Sequence, residues 1–224
     1  ISSSGQVDWQ IGISNTIIND WGITIDLSGD GGYLIAGGNF KTFSCPNAGS
    51  VTRDSMFNVF IKLDSIGNLV WQKKYYVGIK PEGSASGEKK ILKVEDGYLL
   101  TNSFMAIPKD GPCNSVLYSE AVFLLQVDND GDLLWLKEYG GTQNDVLNDI
   151  VLLPDSTILL LGNTKSTNGD LEGVHNDSLK QVAWKLIVND TGKVLSSRVY
   201  ELLPNTGSLF YRGYLTSDST YIIV

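Results

Sequence analysis

The chain has 224 residues, 42% of them hydrophobic, and a formal net charge of −8. That acidity argues against nucleic acid or an anionic membrane surface as a partner, because both reward basic patches. No apolar run is long enough to cross a bilayer, the first residues lack the basic and apolar segments of a signal peptide, and the apolar content suffices for a core without staples.

From the N-terminus, residues 6–11 read as a lone strand carrying Trp9. Short apolar runs bounded by Gly, Asp and Ser turns then predict strands over 22–27, 33–38, 59–64 and 69–76; over 90–94, 98–103, 121–128 and 133–139; over 150–153, 158–163, 182–188 and 193–200; and over 209–216 and 221–224. No stretch has the length and period of a substantial helix, so the chain reads as all-β. The hairpin LDSIGNLVW at 63–71 returns as VDNDGDLLW at 127–135 and, weakened, as VNDTGKVLS at 188–196. Trp9, Trp71, Trp135 and Ser196 thereby fall in register about every sixty residues. Each unit carries a second tight turn, at Asp30-Gly31-Gly32, Asp96-Gly97, Asp155-Ser156 and Asp218-Ser219.

Four antiparallel strands per unit at this period predict a β-propeller, each unit being one blade. A single domain spans 1–224, with repeats near 9–70, 71–134, 135–195 and 196–224. About three and a half blades are present; since an open arc would expose strand edges and an apolar flank, either the strand at 6–11 closes a small ring against the last strands or, as expected, the chain is part of a larger propeller of about six to eight blades.

The turns from first to second and from third to fourth strand are uniformly tight, whereas the connections on the opposite face are long and differ in every repeat. Long, variable loops on a rigid scaffold are where binding is expected. Loop aromatics outside the repeat register, Phe40, Phe43, Phe104 and Tyr118, are candidate ligand-stacking residues, while Trp9, Trp71 and Trp135 read as blade-to-blade packing. Asp20, Ser86, Asp145 and Ser208 recur at one position near the start of each innermost strand. They either cap a turn or form a ring of oxygen ligands at the channel mouth, which makes Asp20 and Asp145 binding candidates.

The segment STNGDLEGVHND at 166–177 offers Asn168, Asp170, Glu172 and Asp177, hard oxygen ligands of the kind calcium prefers. No cofactor is required by the sequence, and calcium is the one candidate. His175 is the only histidine, and no serine sits in a G-x-S-x-G context, so neither a serine triad nor a multi-imidazole metal site is indicated. Cys45 and Cys113 lie in equivalent loops of adjacent units, where they are either bridged or two free thiols.

Gly140, Gly141 and Asp145, then Gly169, Asp170, Gly173 and His175, then Trp184, Lys185 and Gly192 carry a recognisable pattern in the third repeat. In the first repeat Asp30, Gly31, Gly32, Tyr33, Ala36, Gly37, Lys62, Leu63, Asp64, Gly67 and Trp71 do the same. The chain resembles the secreted bacterial β-propeller repeat proteins associated with type IX secretion. Repeats one and two depart from it by replacing the G-D-x-x-G-x-H loop with insertions holding Cys45 and Cys113, and repeat three lacks the D-G-G-Y turn. The resemblance implies an extracellular or outer-cell-surface location on a bacterium. In that setting Ser55, Ser65, Ser156, Ser178 and Ser219, each following Asp and preceding an apolar residue or Thr, match the O-glycosylation signal of bacteria with that export route.

The expected function is therefore a binding or scaffold module, partnered by a surface protein assembly or a polysaccharide. A carbohydrate-active hydrolase or lyase using loop carboxylates such as Asp170 and Glu172, and a purely structural segment of a large adhesin, are the alternatives.

Overall fold

Each repeat becomes one antiparallel sheet whose strands lie side by side in chain order. Blade 1 is β1 (Trp21–Leu27), β2 (Tyr33–Ser44), β3 (Thr52–Leu63) and β4 (Leu69–Pro81). Blade 2 is β5 (Ile91–Val94), β6 (Gly97–Ala106), β7 (Ser119–Val127) and β8 (Leu133–Tyr139). Blade 3 is β9 (Asp145–Leu152), β10 (Ile158–Thr164), β11 (Val182–Val188) and β12 (Val194–Tyr200), and β13 (Gly213–Leu215) pairs with β14 (Tyr221–Ile223) in a fourth sheet. This computed structural model describes residues 6–7, 10, 21–46, 50–81, 89–106, 113, 119–174, 176–177, 179–201, 212–216 and 221–223. The expected strand at 6–11 lies largely outside them.

The first strands of successive sheets, β1, β5, β9 and β13, adjoin one another and form a hub, and the sheets fan outward from it. That arrangement is a β-propeller of four-stranded antiparallel blades. Among the described residues no helix is long and apolar enough to cross a membrane, and the one helical turn is the 3₁₀ segment Gly169–Leu171.

The period-2 alternation of a strand explains how the blades stack. In blade 2 Tyr98, Leu100, Phe123 and Leu125 join Leu34, Phe60 and Tyr75 in a core shared with blade 1. Their neighbours Leu99, Val122 and Leu124 join Ile158, Leu160, Trp184 and Leu186 in a second core shared with blade 3. Both faces of the middle strands are therefore apolar and β10 is buried throughout, whereas the outer strand β8 is exposed at four of its seven residues. Each fully buried Leu or Phe stabilises the stack by roughly 1.5–3 kcal/mol.

The recurring hairpin is closed by its first polar residue. Asp64 Oδ1 accepts the backbone N–H of Ile66 at 3.0 Å and of Asn68 at 2.8 Å, and Asp128 does the same for Asp130 and Asp132. Asn189 serves equally in blade 3, accepting from Thr191 and Lys193. The glycine that follows, Gly67, Gly131 or Gly192, has φ between +73° and +88°, a left-handed conformation that disfavours any Cβ.

Trp71 and Trp135 join blades, as their register suggests, while Trp9 lies outside the described residues. Trp71 Nε1 donates to Asn129 O at 3.1 Å and the Tyr75 hydroxyl to Gly131 O, both in the next blade's hairpin. Trp135 Nε1 donates to Asp190 O at 3.0 Å and Tyr139 to Gly192 O at 2.8 Å.

Two boundaries differ from the expectation. Strands β2, β3 and β4 run five to seven residues further than the apolar runs indicate, because alternate polar positions such as Thr42 and Asp54 continue the ladder to Ser44↔Thr52. Strand β9 starts at Asp145 rather than 150, since a bulge opposite Leu161 and Gly162 lets the polar segment DVLND pair with β10.

Candidate functional site

The long connections place two built features on one face of the propeller, opposite the tight turns. The first is the overlong end of blade 1. Beyond a bulge between Met56 and Phe57, β3 stays paired to β2 on one side and to β4 on the other as far as Arg53↔Pro81. Within this tongue Thr42 Oγ1 donates to the fully buried Asp54 at 2.8 Å. Phe57 and Tyr76 meet edge to face at 5.7 Å, with Tyr76 half exposed and its hydroxyl pKa pushed up by burial. Cys45, immediately after β2, is joined by a disulfide to Cys113 in the connection between β6 and β7, with Cα atoms 5.7 Å apart. The bridge ties the tongue of blade 1 to the loop of blade 2.

The second feature is a pair of interlocked loops at blade 3. Asp145, fully buried at the start of β9, accepts hydrogen bonds from Thr164 Oγ1 at 2.5 Å, Ser166 Oγ at 2.8 Å and Gly141 N at 2.8 Å. Asp170 Oδ2 accepts from Gly140 N at 2.9 Å, and Asn168 Oδ1 accepts from Thr142 N at 3.0 Å. Gly140 has φ +119°, and a Cβ on it would collide with the Asp145 carboxylate. Burial pushes the carboxyl pKa of Asp145 up, against the pull of its three donors, and burial likewise pushes up those of Asp170 and Glu120.

These placements correct two of the expectations. Asp145 is not a channel-mouth ligand: its side chain has no exposed surface, and its lone pairs are engaged by the 140–145 and 164–166 backbone and hydroxyls. Asn168 and Asp170 do not converge with Glu172 and Asp177 on a cation. The first two accept backbone amides of the neighbouring loop, Glu172 is exposed, and Asp177 accepts from Leu179 N while lying 3.9 Å from Lys180 Nζ. Among the described residues no three His, Cys, Asp or Glu side chains gather where a metal ion could be held.

The remaining candidates fall in varied places. Phe40 is half-buried against the core between blades 1 and 2, and Phe43 is half-buried in the tongue. Ser55 lies in β3 with strands on both sides, whereas Ser65 and Ser156 sit exposed in tight turns. Asp20, Tyr118, Ser178, Ser219 and His175, and the side chain of Phe104, lie outside the described residues.

A polar junction on the tight-turn face was not anticipated. Lys62 Nζ lies 2.7 Å from Asp30 Oδ2 and 5.9 Å from the centre of the Tyr98 ring, and Lys93 Nζ sits 4.6 Å from the same ring. The Lys62 ammonium, with help from the Ser28 hydroxyl and Gly32 N–H, holds the Asp30 carboxyl far below the usual carboxylate range. Burial, reinforced by repulsion from Lys62, lowers the Lys93 pKa. The available signal was that Lys62 and Lys93 stand where the repeat register has apolar or neutral residues in the next blade.

No family model and no curated protein matches this chain. Solved structures that match include the crystal structure of an ACO/RPE65 chimera, 15% identical with a TM-score of 0.42, covering 80% of this chain and 38% of that one. That likeness is slight, and the propeller assignment stands on strand order and the hub of first strands.

Proposed function

We propose that the chain is an exported β-propeller module that binds a surface protein or a polysaccharide through its long-loop face. The observation that carries this reading is the tongue of blade 1 and its disulfide to blade 2. A three-stranded extension beyond the blade adds nothing to the hub, yet it is fixed by a covalent bridge across two repeats. Disulfides persist in oxidising compartments, which supports export. The resemblance to type IX secretion-associated propeller repeats agrees with it. Asp170 is occupied by a backbone amide and Glu172 is solvated, so the pair Asp170 and Glu172 does not favour the hydrolase reading.

The test compares wild type, Phe43→Ala and the double variant Cys45→Ser/Cys113→Ser on arrays of defined bacterial polysaccharides and in cross-linking mass spectrometry on the cell surface of its source. Both variants are expected to lose at least tenfold in binding while the far-UV circular dichroism of the blades is kept. Glycan turnover that disappears in Asp170→Asn would replace the module with an enzyme. Binding unaffected by either variant would remove the tongue from the site.

A further inference from the structure

The two blade junctions on the tight-turn face are built from the same repeat positions but filled differently. Between blades 1 and 2, Lys62 and Lys93 flank the Tyr98 ring, and Lys93 Nζ donates to Val94 O, Gly97 O and Asn129 Oδ1 at 2.8, 3.1 and 3.2 Å. Strand register carries each of these positions to the junction between blades 2 and 3. Lys62 pairs with Leu34 and Trp71 as Gln126 pairs with Leu99 and Trp135. Lys93 pairs with Tyr98 as Leu152 pairs with Ile158. Asn129 and Asp190 each follow the residue that closes their hairpin.

Both ammonium groups and the tyrosine ring are therefore absent from the second junction, and a cleft of about 370 Å³ stands in their place. Its walls include the apolar surfaces of Trp135, Leu152 and Ile158, and its rim carries Glu95, Asp96 and Asp190. Gln126 is 9% exposed and lines this cleft, and among the described residues nothing hydrogen-bonds its side-chain amide. That amide keeps contact with solvent in the cleft, so its oxygen is free to accept from a ligand donor. Neither Lys62 nor Lys93 has a counterpart at this junction, and of the rim carboxylates Asp96 also feels the charge of Lys93 itself.

We propose that this cleft binds a primary alkylammonium group, the chemistry of a lysine side chain. The alkyl stem lies along Trp135, Leu152 and Ile158, as lysine stems commonly cover apolar surface. The ammonium donates to the Gln126 amide oxygen and faces Glu95, Asp96 and Asp190, occupying the space that the chain's own lysines occupy one junction earlier. The site lies on the face opposite the tongue, so it stands or falls independently of the loop-face reading.

The test is calorimetric titration, with the Trp135 indole N–H followed by NMR, using acetyl-Gly-Lys-Gly-amide, n-butylamine and acetyl-Gly-norleucine-Gly-amide. The lysine peptide and n-butylamine are expected to compete for one site and to shift the Trp135 resonance, and the norleucine peptide, which keeps the stem without the charge, is expected to bind at least tenfold more weakly. Tighter binding of the peptide identifies a polypeptide source, and equal binding identifies a free amine; either upholds the ammonium site. Gln126→Lys, which restores the residue type of the first junction, is expected to abolish binding. Because a buried lysine can unfold the blade, Glu95→Gln/Asp96→Asn on the exposed turn provides a second variant, expected to weaken binding about tenfold, as loss of charge-assisted contacts does. Equal binding of the norleucine and lysine peptides, no binding of either amine, or full affinity in the turn variant overturns the proposal.

Discussion

Replacing Gly192 by alanine measures how much of the stability lies in the contact between a hairpin and the outer strand of the blade before it. Gly192 has φ +73°, and a Cβ there would lie 2.9 Å from Lys137 Cγ, 3.0 Å from the Tyr139 hydroxyl and 3.1 Å from Trp135 Cζ3. Gly173 has nearly the same backbone, φ +71°, with nothing within 4 Å of the added atom. Both substitutions incur the left-handed penalty of about 1–2 kcal/mol, and both stiffen the unfolded chain alike, so these effects cancel in the difference. What remains for Gly192→Ala is overpacking, typically about 1–3 kcal/mol. Lys137 can swing aside, but Tyr139 and Trp135 are pinned by their hydrogen bonds to Gly192 O and Asp190 O. Urea unfolding followed by circular dichroism is expected to show Gly192→Ala less stable than Gly173→Ala by about 1–3 kcal/mol at an unchanged m-value. Equal losses in the two variants would refute the claim that blades are joined through this contact.

At the blade 3 loops, Asp145→Ala leaves the Gly141 amide and two hydroxyls without their acceptor and is expected to cost about 3 kcal/mol, whereas Asp145→Asn keeps most acceptors and costs less, as denaturant midpoints will show. Burial raises the Asp145 pKa above its unfolded value, so its contribution is present in full below pH 3.8 and is lost as pH rises through the folded pKa; across that window Asp145→Asn is expected to gain on wild type. At the first junction, Lys62→Gln removes the main cause of the low Asp30 pKa, and carbon-detected NMR titration should find that carboxyl moved up toward the ordinary range. The depressed pKa of Asp30 stabilises above its unfolded value and is lost as pH falls through the folded value, so the variant is expected to be less sensitive to acid there.

The propeller was legible because its strongest signals are local. An Asx residue, a left-handed glycine and a tryptophan at fixed spacing specify a hairpin whatever the rest of the blade does. The tongue and the early start of β9 were not legible, since segments such as KTFS and DVLND look like loops until a partner strand supplies the ladder. The calcium reading of Asn168 and Asp170 failed for a related reason. The oxygens that suit a cation also suit backbone N–H groups, and only the fold brings Gly140 and Thr142 within reach. Gln126 gave no signal on its own; its meaning comes from Lys62 at the same register position in the blade before.

The contacts that join blades have a direction. Trp71 and Tyr75 on the last strand of blade 1 reach the last hairpin of blade 2, and Trp135 and Tyr139 do the same from blade 2 to blade 3. Blade 2 thus carries both a key for its successor and a lock for its predecessor. A copy of blade 2 inserted in register between blades 2 and 3 would therefore find its lock opened by Trp135 and present its own key to Asp190 and Gly192. The array of blades can lengthen by whole-blade duplication without any change to the blades on either side, and the same directionality forbids a blade inserted in reverse.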